Sequence, residues 1–197
     1  GAFLVNYDLA QNASSEDPMD DPSPGWTTTG DTKLDMMAPW RHVRDGSSGM
    51  WSIIDSASAS DQSLVTPPLT VSSTTPLGFT LRHRYSFEAD SFSFYDGGVI
   101  EISTDDGMTW SDVGTMLTAN GYSGTLWSLN APLKSRKAFA GKSGGYPDYV
   151  TTTGNLGTTY AGKTVRLRFR VGTDPDVGGP GWDLDSLSIS GITNQPF

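Results

Sequence analysis

The sequence predicts an all-β fold, a two-sheet antiparallel β-sandwich of the jelly-roll kind with long loops and very little helix. Three observations carry this. Apolar and polar residues alternate at period 2 in several segments, as in strands half-buried against a core. Helical periodicity is almost absent. Gly (23) and Pro (12) punctuate the whole length of the 197-residue chain, so short segments are joined by turns.

Taken in order, residues 1–62 are the least regular. The run "SSEDPMDDPSPGW" is a loop, and Trp26, Trp40 and Trp51 are expected to anchor this part to the sandwich. "SLVTPPLTV", Ser63 to Val71, is extended but broken by Pro67 and Pro68, which fits an edge position or a bulge. In "FTLRHRYSF", Phe79, Leu81, His83, Tyr85 and Phe87 share one face, with Arg82 and Arg84 opposite. "VIEIS", Val99 to Ser103, leads into the turn "TDDGMTW" and a hairpin partner. "TVRLRFRV", Thr164 to Val171, is the clearest strand: Val165, Leu167, Phe169 and Val171 point one way and Arg166, Arg168 and Arg170 the other. Those arginines are expected to pair with acids across strands, an anionic-ligand groove being the alternative. "WDLDSLSIS", Trp182 to Ser190, is a late strand. No internal repeat or linker divides the chain. It is read as one domain over 1–197, long enough to bury roughly 70% of its unfolded surface.

Composition narrows the function. Lys and Arg number 13 against 22 Asp and Glu, a net charge of −9, which disfavours nucleic acid and anionic membrane as partners. No apolar run approaches the roughly 20 residues of a membrane span. There is no cysteine, which excludes disulfides, thiolate zinc sites and cysteine nucleophiles. The start, "GAFLVNYDLAQ", lacks Met and a signal-peptide layout and is read as a processed terminus or an excised domain.

Two catalytic patterns match by letter only. "GTTYAGKT", Gly157 to Thr164, has the spacing of a phosphate-cradling P-loop, but that loop works only where a helix N-terminus follows it. Thr164 leads into a strand. "GKSGG", Gly141 to Gly145, matches a nucleophile elbow, yet "GGYPDYV" cannot start the required helix. The only histidines, His42 and His83, precede it, and His83 is expected to be a satisfied core residue. "DPDVGG" from Asp174 lacks the ligand spacing of an EF-hand. Catalysis in this chain is not expected.

Several stretches together resemble a known module: "SDQSLVTPPLTV", "HRYSFEADSFSFYDGGVIEISTDDGMTW", "NAPLKSRKAFAGKSGGYPDYVTTT", "NLGTTYAGKTVRLRFRVGTD" and "GPGWDLDSLSISGITNQPF". In order and spacing they resemble the MAM-like jelly-roll domain of secreted bacterial proteins. That domain accompanies extracellular metallopeptidases of the fungalysin-like and immune-inhibitor-A-like families. The peptidase zinc motif is absent, so the resemblance implies the accessory module. In the family pattern an Asp pair follows the Trp of the last strand. Here Asp185 takes the first place, Ser186 the second, and Asp183 stands where an aromatic is usual.

The acids at strand ends fit a cation. Glu88 ends one strand and Asp96 begins the next, and Asp185 projects from a strand that can neighbour both. Converging carboxylates repel unless a cation neutralises them, and oxygen-only ligands favour calcium over zinc. Glu88, Asp96 and Asp185 are therefore the expected calcium ligands, with Asn6, Asp8 and Asp183 as further oxygen donors. The alternative is a plain turn at Asp96–Gly97–Gly98 with Glu88 in solvent. In the turn-rich segment Thr118 to Thr153, Trp127, Tyr146 and Tyr149 either stack on sugars or pin their own loop. The expected function is a non-catalytic accessory module of a secreted protein, contacting its own catalytic domain, an extracellular protein or a glycan. The alternative is a carbohydrate-binding module using the loop aromatics.

Overall fold

The structure is a computed structural model that describes residues 15–22, 25–30, 39–46, 48–127 and 132–197. Among the described residues, eight principal strands form its framework: β1 (Ser48–Asp55), β2 (Ser60–Val65), β3 (Leu77–Ser86), β4 (Gly97–Ser103), β5 (Lys137–Ala140), β6 (Val150–Gly157), β7 (Thr164–Thr173) and β8 (Gly179–Ser190). One sheet runs β6-β3-β8-β1 and the other β5-β4-β7-β2, with all ladders between named strands antiparallel. That is the strand order of a jelly roll. Short edge strands extend both sheets: Leu117–Ala119 and Arg41–Asp45 on the first, Gly124–Thr125 and Thr27–Gly30 on the second. Among the described residues the only helix is one 3-10 turn, Gly114–Met116.

The alternation read from the sequence decides which faces are buried. Val165, Leu167, Phe169 and Val171 of β7 meet Phe79, Leu81, Tyr85 and Phe87 in the core between the sheets. The arginines point out and pair as expected: Arg166 with Asp106, Arg168 with Glu101 and Arg170 with Asp61. Arg82 and Arg84 of β3 likewise meet Asp185 and Asp183 of β8. "TDDGMTW" turns into a short partner strand, Ser111–Asp112, beside β4. Pro67 and Pro68 interrupt the partner of β7, which β2 begins and Leu69–Thr70 resumes; this is a break inside the sheet.

Trp182 is the centre of the core. Its ring lies 5.3 Å from Phe139, 5.9 Å from Trp40 and 6.0 Å from Phe169. His83 beside it is fully buried. Its Nδ1 accepts a hydrogen bond from Trp182 Nε1 at 2.9 Å, so its proton sits on Nε2 and is donated to Thr152 Oγ1 at 2.7 Å. It is the satisfied core histidine that the sequence predicts.

The early part of the chain is more regular than its composition predicts. β1 is an inner strand of the first sheet, and β2 begins before residue 62. Trp26 and Trp40 are buried and Trp51 packs against the core, Trp26 donating from Nε1 to Asp17 at 2.7 Å. The P-loop match is a turn: Lys163 N–H donates to Tyr160 O, and β7 starts at Thr164 with no helix. In the "GKSGG" match, Ser143 Oγ is buried and accepts from the Tyr85 N–H.

Candidate metal centre and ligand cleft

Four strand ends converge at one end of the sandwich. The register pairs Asp55 with Gly179 and Ser86 with Gly181 in one sheet, and Gly97 with Gly172 in the other. The end of β1, the β3–β4 loop and the end of β7 are therefore brought together. Glu88, Asp96 and Asp174 each offer a carboxylate oxygen, all within 4.8 Å of one another. Asp55 lies behind them. Its Oδ2 accepts the Glu88 N–H at 2.8 Å, and Asp96 Oδ1 accepts the Asp174 N–H at 2.7 Å.

The electrostatics are one-sided. Asp96 is 0% exposed and Asp55 3% exposed. Burial pushes both carboxyls well above the usual range, with Asp174 adding to the repulsion. Burial and then the charges of Asp174, Asp176 and Asp55 push Glu88 up as well. Among the described residues, the charges that act most on these three are all acidic. Asp55 Oδ1 and Glu88 Oε2 are buried with no hydrogen-bond donor. A proton shared between Asp55 and Asp96 removes one charge of four, whereas a divalent cation offsets two and would give the Glu88 carboxylate a partner. The donor set is oxygen only, and it fits calcium.

Two of the three expected ligands meet here, and Asp185 does not. The strand "WDLDSLSIS" buries Trp182 and Leu184, then Leu187 and Ile189, so its inward parity switches. A bulge accommodates the switch: Leu184 pairs with His83 and Ser186 with Arg82, leaving Asp185 as the extra residue, directed at Arg82. Asp183 is also on the outer face, accepting from Arg84 Nε at 2.9 Å and Ser52 Oγ at 2.6 Å. Asn6 and Asp8 lie outside the described residues. The member that the sequence reading missed is Asp174, together with Asp55 behind it. Both end strands, the same signal that singled out Glu88 and Asp96.

The aromatic candidates separate too. Trp127 is 46% exposed and lines a cleft of about 340 Å³ with Glu88, Ala89, Asp90, Tyr95, Asp174 and Asp176. Tyr146 and Tyr149 are not among its walls. Tyr149 pins its own loop: Arg82 and Arg84 stand over its ring at 4.2 and 4.6 Å, and its hydroxyl reaches Met50 Sδ. Tyr146 is half-buried in the same loop, its N–H bonded to Ser143 O.

No family model matches the chain, and no curated protein does. Solved structures do. The K1 cleaved adhesin domain of Lys-gingipain from Porphyromonas gingivalis W83 is 15% identical over 89% of this chain and 96% of that one, with a TM-score of 0.52. The likeness is one of fold. It places this chain's architecture with a bacterial β-sandwich adhesin domain. The structure of TmCBM61 in complex with beta-1,4-galactotriose also matches, at 11% identity over 85% of this chain and 88% of that one, with a TM-score of 0.44. The MAM-like resemblance finds no matching family model. No helix among the described residues is long and apolar enough to cross a membrane.

Proposed function

We propose that this chain is a non-catalytic binding module of a secreted bacterial protein, braced by calcium at one end of the sandwich, and that its ligand is a glycan. The observation that carries the reading is the shared cleft, where an exposed indole ring stands beside the carboxylates Glu88 and Asp174. Glu88, Asp96 and Asp174 would hold the ion, which supplies fixed positive charge and links strand ends from both sheets. Such a brace holds the loops rigid and lowers the ordering cost of binding. Asp55 and Asp96 are too buried to touch a substrate as an acid–base pair. The fold neighbour from Lys-gingipain is an adhesin domain, which supports a binding role. A place beside the catalytic domain of a longer protein, as in the MAM-like resemblance, is compatible with this reading.

The test is an oligosaccharide array probed with the 197-residue chain in millimolar calcium. The expected result is retention by neutral glycans, lost in Trp127→Ala at an unchanged melting temperature. No retention on any glycan would overturn the glycan assignment, and calcium-dependent melting decides the brace separately.

A further inference from the structure

We infer that the cation site and Trp127 form one composite sugar site. Glu88, Asp96 and Asp174 hold calcium from the protein side, two adjacent hydroxyls of a neutral sugar close its remaining positions, and Trp127 takes the apolar face of the pyranose. This rests on the glycan reading of the cleft and names how the ligand is recognised.

Three features lead there. First, the carboxylates are unevenly buried. Asp96 and Asp55 lie on the closed side, while Glu88 and Asp174 line the open cleft. Calcium takes six to eight oxygens. The three carboxylates would leave positions to fill, and two of the three, Glu88 and Asp174, line the same cleft as Trp127. Asp55 Oδ1, a donor-less oxygen in a buried side chain, marks the negative potential from behind. Second, Trp127 is held in place by its backbone: its N–H donates to Phe94 O at 2.7 Å, and Leu126 before it is buried and bridged to Phe94. The backbone that carries the ring is thus fixed before a ligand arrives. Third, the rim is acidic. Asp90 and Asp176 add to Glu88 and Asp174, and Asp90 is oriented by the Tyr95 hydroxyl at 2.9 Å and by two backbone N–H groups.

Those features select the ligand class. A rim of carboxylates repels uronates, sulfated sugars and nucleotides. An apolar peptide would leave the acids and the ion without partners. A neutral sugar offers hydroxyl pairs for the ion, hydroxyl donors for the acids, and a C–H face for the indole. The cleft volume falls in the range of small-ligand sites.

The experiment uses the whole 197-residue chain and three probes, methyl mannoside, methyl galactoside and methyl glucoside, together with any oligosaccharide retained on the array. Calcium affinity is measured by tryptophan fluorescence or calorimetry with and without each sugar. Linkage requires the effect to be mutual. The expected result is a sugar that tightens calcium at least ~10-fold and binds at least ~10-fold more weakly in chelator. Trp127→Ala is expected to lose the sugar and its effect on calcium while keeping the calcium affinity of the sugar-free protein. A sugar that binds equally well in chelator, or equally well to Trp127→Ala, would overturn the composite site and leave the brace standing. Absence of sugar binding on all probes would overturn it together with the glycan assignment. A melting temperature indifferent to calcium would overturn the metal itself.

Discussion

The backbone N–H of Asp174 donates to Oδ1 of Asp96 across 2.7 Å. These residues are 78 positions apart. The contact joins the end of β7 to the start of β4, and the same Asp96 lies against Asp55 at the end of β1. Three strand ends from two sheets thus meet on one buried carboxylate, and the stability of this end depends on what neutralises it.

Calcium is expected to raise the melting temperature. At about a hundred times its dissociation constant, an ion bound only by the folded state adds roughly 2.7 kcal/mol. For a chain of this size that is about 5–10 °C. Asp96→Asn and Asp174→Asn should lose most of the response, and Asp185→Asn should keep it, since Asp185 is spent on Arg82. Melting curves in chelator and in millimolar calcium check this. A wild type that melts alike in both would refute the site.

His83 makes stability fall with acid. Burial lowers its pKa from 6.5 to about 3, and its Nδ1 is occupied by the Trp182 N–H. The folded state therefore resists a proton that the unfolded chain accepts below pH 6.5. The stabilisation is present above pH 6.5 and lost as pH falls towards 3. By pH 4.5 the loss is on the order of 3 kcal/mol. Denaturant titrations of the wild type and His83→Gln in saturating calcium isolate this contribution. Parallel losses in the two proteins between pH 6.5 and 4.5 would contradict it.

Gly98→Ala is expected to destabilise the core. A Cβ there comes within 2.5 Å of Cε3 and Cζ3 of Trp182, whose ring is boxed in by Phe139, Trp40 and Phe169. Overpacking of this kind costs about 1–3 kcal/mol. Urea unfolding at pH 7 measures it, and a stability equal to wild type would show that the ring has room to move.

Glu101→Gln should cost more than removing a surface pair. Glu101 is buried and accepts from Arg136 at 2.7 Å and from Arg168 at 2.5 Å. Neutralising it weakens the partner of Arg168 and one of the two partners of Arg136, which keeps Asp112, at about 1–3 kcal/mol. Asp21→Asn, which removes the exposed pair with Arg44, should cost under about 1 kcal/mol. Equal unfolding midpoints for the two variants would refute the ranking.

Most of the fold was legible because strand burial is written locally. One period-2 pattern placed Val165 to Val171 and Phe79 to Phe87 in the core, and their arginines outside, before any partner was known. The last strand shows the same code with a flaw. Its inward residues change parity between Leu184 and Leu187, and that change is itself the signature of the bulge that turns Asp185 away from the acids. The irregular early region was legible only in part, because the regularity of β1 comes from pairing with β8 across more than a hundred residues.

By itself the sequence determined the sandwich, the core histidine, the failure of the P-loop match, and the presence of acids at strand ends. Only the tertiary structure decided which of those acids meet. Glu88 and Asp96 are eight residues apart and share a loop, so their proximity is local. Asp55 and Asp174 come from other strands, and the jelly-roll register brings their ends beside that loop. Convergence of charge is a long-range property: it follows from strand order and register, which no short stretch of sequence encodes. Exposure is of the same kind. Trp127 and Tyr149 look alike in sequence, but Tyr149 lies beneath two arginines of β3 while Trp127 opens onto the cleft. What covers a ring is another part of the chain, and only folding puts it there.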